Sequence, residues 1–464
     1  MAGVSSSHFD LAVIGTGSGN SIIDERFADR RVAVLEQGTF GGTCLNVGCI
    51  PTKMFVYPAD LAQGARHGPR LGVDTSFGGV RWRDIRNRIF GRIDPISARG
   101  REWRLANRNV TLFEGHARFV DVRTLDTGTG ETITADQVVI AAGSRPVVPD
   151  IEGLDGVPFH TSDTVMRLDD LPERLLVLGG GYVAAELAHV FSSFGTRVSV
   201  VNRSSRLLRG LDDDISRRFT DLARQRWDVR LEAQATKLER YDGGVRAHLS
   251  DGSTVEADVL LVAVGRRSNA DGLDLDRTGV AVDAEDVVVV DDHQHTNVEG
   301  IWALGDVANH RQLKHVANQE ARVLQHNLLH LDDPGAMVRT RRDVIPSAVF
   351  SDPQIASVGL TEREAVERGV PHVVAEELYR DVAYGWAMED LTSVAKMLAD
   401  PHDGRILGAH IMGPQASNLL QPVVQAMSFG QTAHELARGQ YWIHPALMEV
   451  VENVALGITL SPAG

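Results

Sequence analysis

Two cysteines, Cys44 and Cys49, sit five positions apart in the stretch GGTCLNVGCIPTK, and the chain has no others. Such a pair could be a structural staple, half of a metal site, two unrelated buried thiols, or a redox couple. A staple stabilises mostly by closing a long loop, and this loop is very short. Zinc takes about four ligands, and neither a second cysteine pair nor a nearby histidine cluster is offered. The glycines and Pro51-Thr52-Lys53 around the pair imply a shaped backbone, which unrelated thiols do not need. Catalytic redox use, with a thiolate as the reacting species, is the expectation.

The elements around the thiols follow one phosphate-binding design, twice. Phe9 to Gly15 (FDLAVIG) suits a buried parallel strand, and it enters Gly15-Thr16-Gly17-Ser18-Gly19-Asn20. A helix is expected from about Ser21, and a second strand ends at Glu36, 21 positions after Gly15. Strand, glycine turn, helix, strand and carboxylate form the dinucleotide fingerprint: Gly15 makes the turn, Gly17 admits the pyrophosphate, and Glu36 takes a ribose hydroxyl. Asn20 replaces the third glycine, with Gly19 one place earlier.

The second pass runs from Arg174 to Gly179 (RLLVLG), and Gly179, Gly181 and Ala184 fill the three fingerprint positions. Its next strand ends without an acid, at Asn202-Arg203, and the turn continues to Arg209. Arginines grip a 2′-phosphate that a carboxylate would repel, so this site should prefer NADPH over NADH. A solvated basic turn is the bland alternative. Val138 to Pro146 and Val259 to Asn269 are strands ending in small-residue turns, and Ile301 to Asp306 ends in an acid suited to a polyol hydroxyl, or to a helix cap.

Composition narrows the rest. At 464 residues, two to four domains are expected. A hydrophobic share of 43% with 23% charged residues is ordinary for a soluble protein. Forty-seven basic against 62 acidic residues leave a charge of -15, which disfavours nucleic acid or an anionic membrane as partner. No run reads as a transmembrane span, and Met1 to Asp10 is too polar for a signal peptide. Two cysteines and no export signal suggest the reducing cytoplasm.

Together these motifs resemble the class I pyridine nucleotide-disulfide oxidoreductases, over nearly the whole chain, and GGTCLNVGCIPTK is highly specific to them. The resemblance implies an α/β fold: two Rossmann-like dinucleotide-binding domains, for FAD and NADPH, plus an α+β C-terminal dimerisation domain. The FAD domain would take about 1–150 with 270–340, the NADPH domain about 151–269, and the interface domain about 341–464. It implies that Cys44 is the interchange thiol attacking the substrate disulfide and Cys49 the charge-transfer thiol lying against the flavin. Lys53 and Glu186 match the ion pair near flavin N5, and Asp306 the acid on the ribityl chain. Leu313 to Ala317 begins a helix whose N-terminus faces the flavin. Gly42, Thr43, Gly143, Gly265 and Val316 complete the implied cofactor contacts.

His444-Pro445-Ala446-Leu447-Met448-Glu449 fits the family's His-Pro-x-x-x-Glu motif. The departing thiolate needs a proton from a group titrating near neutrality, and Glu449 can orient the imidazole. A lone His-Pro is more often a capping turn. In the family this histidine serves the other subunit, so a homodimer with shared active sites is implied.

No thiol follows Cys49, and the chain ends SPAG, which points to a low-molecular-weight disulfide reduced directly at Cys44. Asp24 and Glu25 would repel the carboxylates of a glutathione-like peptide, unless they only complement a helix terminus. The opening GTGSGNSIIDERF resembles a branch of the family acting on mycothione, the disulfide of a cysteinyl glucosaminyl-inositol thiol. Reduction of another small disulfide, an oxidase or quinone reductase, and a docking subunit of a multienzyme complex are the alternatives.

Overall fold

The apolar run that precedes Gly15 forms β1 (Ser7–Ile14), and β2 (Val32–Leu35) has all four residues buried. Near-continuous burial is the mark of parallel strands covered on both faces. The computed structural model describes residues 7–461; the polar start at Met1–Ser6 and the end of the tail at Pro462–Gly464 lie outside the described residues. With β3 (Val110–Phe113), β4 (Arg118–Asp121), β5 (Thr124–Asp126) and β6 (Thr132–Ile140), these strands take the order β3-β2-β1-β6-β5-β4. Strands β1, β2, β3 and β6 are mutually parallel, and β4 and β5 turn back antiparallel.

A two-stranded link, β7 (Ser144–Pro146) with β16 (Arg266–Ser268), marks the passage into and out of a second parallel sheet. That sheet holds β8 (Phe159–His160), β9 (Arg174–Leu178), β10 (Arg197–Asn202), β11 (Asp228–Leu231) and β15 (Val259–Val262), in the order β11-β10-β9-β15-β8. An antiparallel meander of β12 (Ala235–Tyr241), β13 (Gly244–Leu249) and β14 (Thr254–Ala257) covers one face. The chain then returns to the first sheet, where β17 (Ile301–Ala303) pairs in parallel with β6. The last sheet is antiparallel: β18 (Ser347–Val349), β19 (Ile355–Gly359), β20 (Val373–Leu378), β21 (Val394–Ala399) and β22 (Ile406–Met412), in the order β18-β19-β22-β21-β20. The expected class, two Rossmann-like units with an α+β third, is the one observed.

Eight helices matter for the site: α1 (Gly42–Asn46), α2 (Cys49–His67), α3 (Trp82–Ala106), α4 (Ser162–Val165), α5 (Tyr182–Ser193), α6 (Asp213–Ala223), α7 (Lys314–Leu328) and α8 (Glu362–Glu367). Helix α2 carries Cys49, and it is held against α3 and α5 by an aromatic core. The Trp82 ring lies 5.0 Å from that of Phe55 and 5.5 Å from that of Phe191. Buried His189 on α5 bonds Asp60 on α2 at 2.9 Å. The cysteine helix therefore has little freedom to move.

One expected element is absent. In place of a helix from Ser21, two 3-10 turns cover Gly19–Ile22 and Glu25–Phe27. Ile23 and Asp24 between them are extended, because Ile22 and Ile23 both enter the core and Asp24 caps the second turn by accepting from Arg26 N–H. The glycine substitution at Asn20 also has its reason. Asn20 Oδ1 accepts from Nε of buried Arg104 at 2.7 Å, and burial pulls that guanidinium down to about 10.

Gly15 and Gly179 perform the same service in the two parallel sheets. Their φ angles are +101° and +120°, and a Cβ would come within 2.4 Å of Ala141 O and 2.2 Å of Ala263 O, respectively. Gly15→Ala should therefore cost about 1–3 kcal/mol from backbone strain alone, lower the thermal midpoint, and reduce flavin retained through purification. An unchanged midpoint with full flavin would contradict this reading of the turn.

Candidate active site

Cys49 opens α2 with Gly48 as its N-cap, and Cys44 lies in α1 just before. Both are free thiols. The Cys44 thiol hydrogen-bonds the Cys49 sulfur and brings Cys49 down to about 7; burial opposes this, and the helix N–H groups and the Lys53 ammonium assist. Cys44 is pushed up by that same hydrogen bond, by burial and by the neighbouring thiolate charge. The two sulfurs share one proton and titrate as a pair. Above about pH 7 the thiolate sits on Cys49, and Cys44 keeps its proton.

Lys53, one turn along α2, meets Glu186 of α5 at 2.7 Å. The other Glu186 oxygen accepts from Phe350 N–H at 2.9 Å, and Lys53 Nζ lies 4.0 Å from the Phe350 ring centroid. The structure thus brings Cys44, Cys49, Lys53 and Glu186 together at one end of a cavity of about 1010 Å³.

Gly15, Gly17, Glu36, Gly42, Thr43, Gly143 and Asp306 line that cavity as well. Gly19 packs beneath it, where a Cβ would fall 2.4 Å from that of Ala141. A Cβ at Gly42 would stand 2.7 Å from Gly17 Cα, so the two glycine turns approach this closely only because Gly42 lacks a side chain. Helix α7 starts at Lys314 with no side-chain cap, which leaves N–H groups free at the cavity wall. Val316 is 7% exposed and is not part of that wall; Gln312, Leu313, Lys314 and His315 are. A carboxylate, glycine turns, the thiols and a helix N-terminus all line this one cavity, a set of groups that suits a long dinucleotide.

Gly179, Gly181, Ala184 and Gly265 lie outside that cavity, around the turn that leaves β9. Nothing approaches within 4 Å of a Cβ at Gly181 or Gly265, so this second cradle is open. Arg203 and Arg209 are exposed, whereas Arg206 is held by Asp213 at 3.2 Å.

His444 is absent from its own chain's cavity. Its Nδ1–H donates to Glu449 Oε1 at 2.6 Å, and Glu449 Oε2 accepts from Ala446 N–H at 3.2 Å, which leaves Nε2 pointing away from its anchor. The side chain is 71% exposed and follows Tyr441 and Ile443, which are also exposed.

Several contributors escaped sequence reasoning. Arg266 donates from Nε to Ser144 Oγ at 3.0 Å, and Ser144 donates to Asp306 Oδ2 at 2.6 Å, a chain across the cavity wall. Fully buried Glu320 accepts from Gly305 N–H at 2.8 Å, and burial pushes its carboxyl up to about 7. Its place on the buried face of α7 was the available signal. Phe350 offered none. The charge argument from the opening turn also weakens: Asp24 is bound by Arg26 at 2.6 Å and by Gln325 at 3.0 Å.

The family model described as pyridine nucleotide-disulphide oxidoreductase matches residues 9–321, and that for its dimerisation domain matches 345–455. The chain is 54% identical over 456 residues to mycothione reductase of Mycobacterium tuberculosis (strain H37Rv), covering 97% of this chain and 99% of that one. It is 32% identical over 448 residues to glutathione reductase of Burkholderia cepacia, covering 95% and 97%. Among solved structures, the HOCl-induced flavoprotein disulfide reductase RclA from Escherichia coli matches with a TM-score of 0.84 at 27% identity, over 96% of this chain and 99% of that chain.

The shared proton is testable by ultraviolet thiolate titration of the reduced protein. Cys44→Ala removes the donor, so the Cys49 midpoint should rise from about 7 toward the ordinary thiol value of about 8.5. A midpoint that stays put would mean that Lys53 and the helix terminus act alone.

Proposed function

We propose, for a chain that belongs to the pyridine nucleotide-disulphide oxidoreductase family, that its substrate is mycothione, reduced to two mycothiols. The chain is an FAD- and NADPH-dependent disulfide reductase. The observation that carries the substrate is the 54% identity, over 97% of the chain, to an enzyme of that name. Among the described residues, no helix is long and apolar enough to cross a membrane. A chain with two reactive thiols suits the reducing cytoplasm.

FAD, when bound, supplies the electron pair that it receives from NADPH and that opens the Cys44–Cys49 disulfide. Gly15, Gly17, Glu36, Gly42, Thr43, Gly143, Asp306 and the start of α7 would hold it. Arg203 and Arg209 favour NADPH by taking its 2′-phosphate. In the dithiol, Cys44 gives up its proton and attacks one sulfur of mycothione. The substrate S–S bond breaks, a Cys44–mycothiol disulfide forms, and the first mycothiol leaves as its thiolate and takes a proton. Cys49 then attacks the Cys44 sulfur, the second mycothiol leaves and is protonated, and the Cys44–Cys49 disulfide closes. Two protein thiols are oxidised as one substrate disulfide is reduced.

The proton carrier is His444 of a second subunit. Its anchoring by Glu449, its exposure beside Tyr441 and Ile443, and its distance from its own cavity support a site shared across a homodimer.

The assay that tests the substrate is NADPH oxidation by the purified flavoprotein against mycothione, glutathione disulfide, trypanothione and lipoamide. Turnover should be substantial with mycothione alone; preference for any other disulfide overturns the assignment. His444→Ala should leave flavin reduction by NADPH intact while slowing the thiol-exchange half-reaction by about 10²- to 10⁴-fold. Mixing inactive Cys44→Ser and His444→Ala subunits should restore up to about a quarter of wild-type activity through heterodimers. Confirmed subunit exchange without recovered activity removes the shared site.

A further inference from the structure

Lys396, on β21, is 2% exposed and takes no part in the redox chemistry. Its Nζ lies 3.0 Å from Asp212 Oδ1, 2.6 Å from Asp214 Oδ2 and 2.6 Å from Glu362 Oε2. Asp212 is completely buried; it caps α6 through Asp214 N–H at 3.1 Å, and its second oxygen accepts from Glu362 N–H at 3.1 Å. Burial would lower the Lys396 ammonium, but the three carboxylates more than offset this and hold it above the ordinary lysine value. The cluster joins the two family segments, since Asp212 and Asp214 fall in the first and Glu362 and Lys396 in the second. Without the ammonium, completely buried Asp212 would lose its cation and face the carboxylates of Glu362 and of Asp214, which keeps Arg217, and that repulsion would push the start of α6 from β21 and α8.

Helix α6 in turn holds the arginine turn. Ser216 Oγ donates to Leu207 O at 2.6 Å, and Leu207 N–H donates to Thr220 Oγ1 at 3.1 Å. Arg206 and Arg363 both pair with Asp213, and Arg363 also donates to Arg209 O at 3.3 Å. Arg206 O also accepts from Asn202 Nδ2 at 2.9 Å and Leu208 N–H meets Gly180 O at 2.7 Å, whereas the other external ties of Arg206, Leu207 and Arg209 run through α6 or α8.

We propose that Lys396 is a positioning residue for nucleotide selectivity: it clamps α6 to the interface sheet and so fixes the turn from which Arg203 and Arg209 grip the 2′-phosphate. This rests on the assignment of those arginines to NADPH. The test is flavin reduction of the holoenzyme in stopped flow, with NADPH and NADH titrated separately; it does not involve the disulfide substrate. Wild type should prefer NADPH, and Arg203→Ala should weaken NADPH alone. If either fails, the arginine assignment has failed and the proposal falls with it. Lys396→Met should cut the NADPH-over-NADH ratio by about 3- to 30-fold through weaker NADPH binding, with NADH little changed. Lys396→Arg should restore most of the ratio. In an Arg203→Ala, Arg209→Ala background, Lys396→Met should lower the ratio no further. An equal loss for both nucleotides, or an unchanged ratio with the arginine effect intact, overturns the proposal. Should Lys396→Met fail to hold flavin, Ser216→Ala decides: it frees Leu207 O without touching the ion cluster, and an unchanged ratio there also overturns it.

Discussion

The Lys53–Glu186 ion pair is where the three main sheets of the chain meet. Lys53 comes from the helix packed on the first nucleotide unit, Glu186 from the helix of the second, and the Phe350 N–H from the segment that leaves β18 of the third. A half-buried charge pair persists only when its remaining polar groups are also satisfied. Here the carboxylate has both an ammonium and an amide, and the ammonium has an aromatic face as well. Displacing any one sheet would break one of these contacts. Cys49 lies four positions before Lys53, on the same helix face, so the thiol is fixed by the same constraint.

That placement decides how the two thiols divide their labour. The hydrogen bond from the proton left on Cys44 does most to favour charge on Cys49, and the helix terminus and Lys53 add to it. Cys44 therefore waits protonated until a base arrives. His444, oriented by Glu449, lies outside the lining of its own chain's cavity, in an exposed apolar stretch.

The two Rossmann units begin from one device, a glycine at positive φ pressed against a carbonyl, and then diverge at a single position. Glu36 follows β2 and its carboxylate accepts the N–H groups of Thr16 at 2.9 Å and Gly38 at 2.8 Å, which ties the glycine turn to the strand end. Asn202 ends β10 and its amide donates instead to the carbonyls of Ser204 at 3.2 Å and Arg206 at 2.9 Å, which curls the following turn and leaves Arg203 at its surface. Exchanging an acceptor for a donor changes both the shape and the sign of the site. The surface turn then requires outside support, which comes from α6 and the cluster around Lys396.

Local pattern carried much of this into the sequence. Glycine spacing, apolar strands and strand-end residues depend on neighbours a few positions away, so both nucleotide turns, the paired cysteines and the Glu449-anchored histidine motif were legible there. The opening helix was misjudged because burial of adjacent Ile22 and Ile23 outweighs local helix-forming tendency, and Asp24 proved to be a cap already bound to Arg26. Which groups face each other across 133 positions, as Lys53 and Glu186 do, or across 184, as Lys396 and Asp212 do, leaves no periodic trace. Those meetings are decided only when the sheets pack, because the cost of burying a charge is met by whichever partner the fold brings within reach.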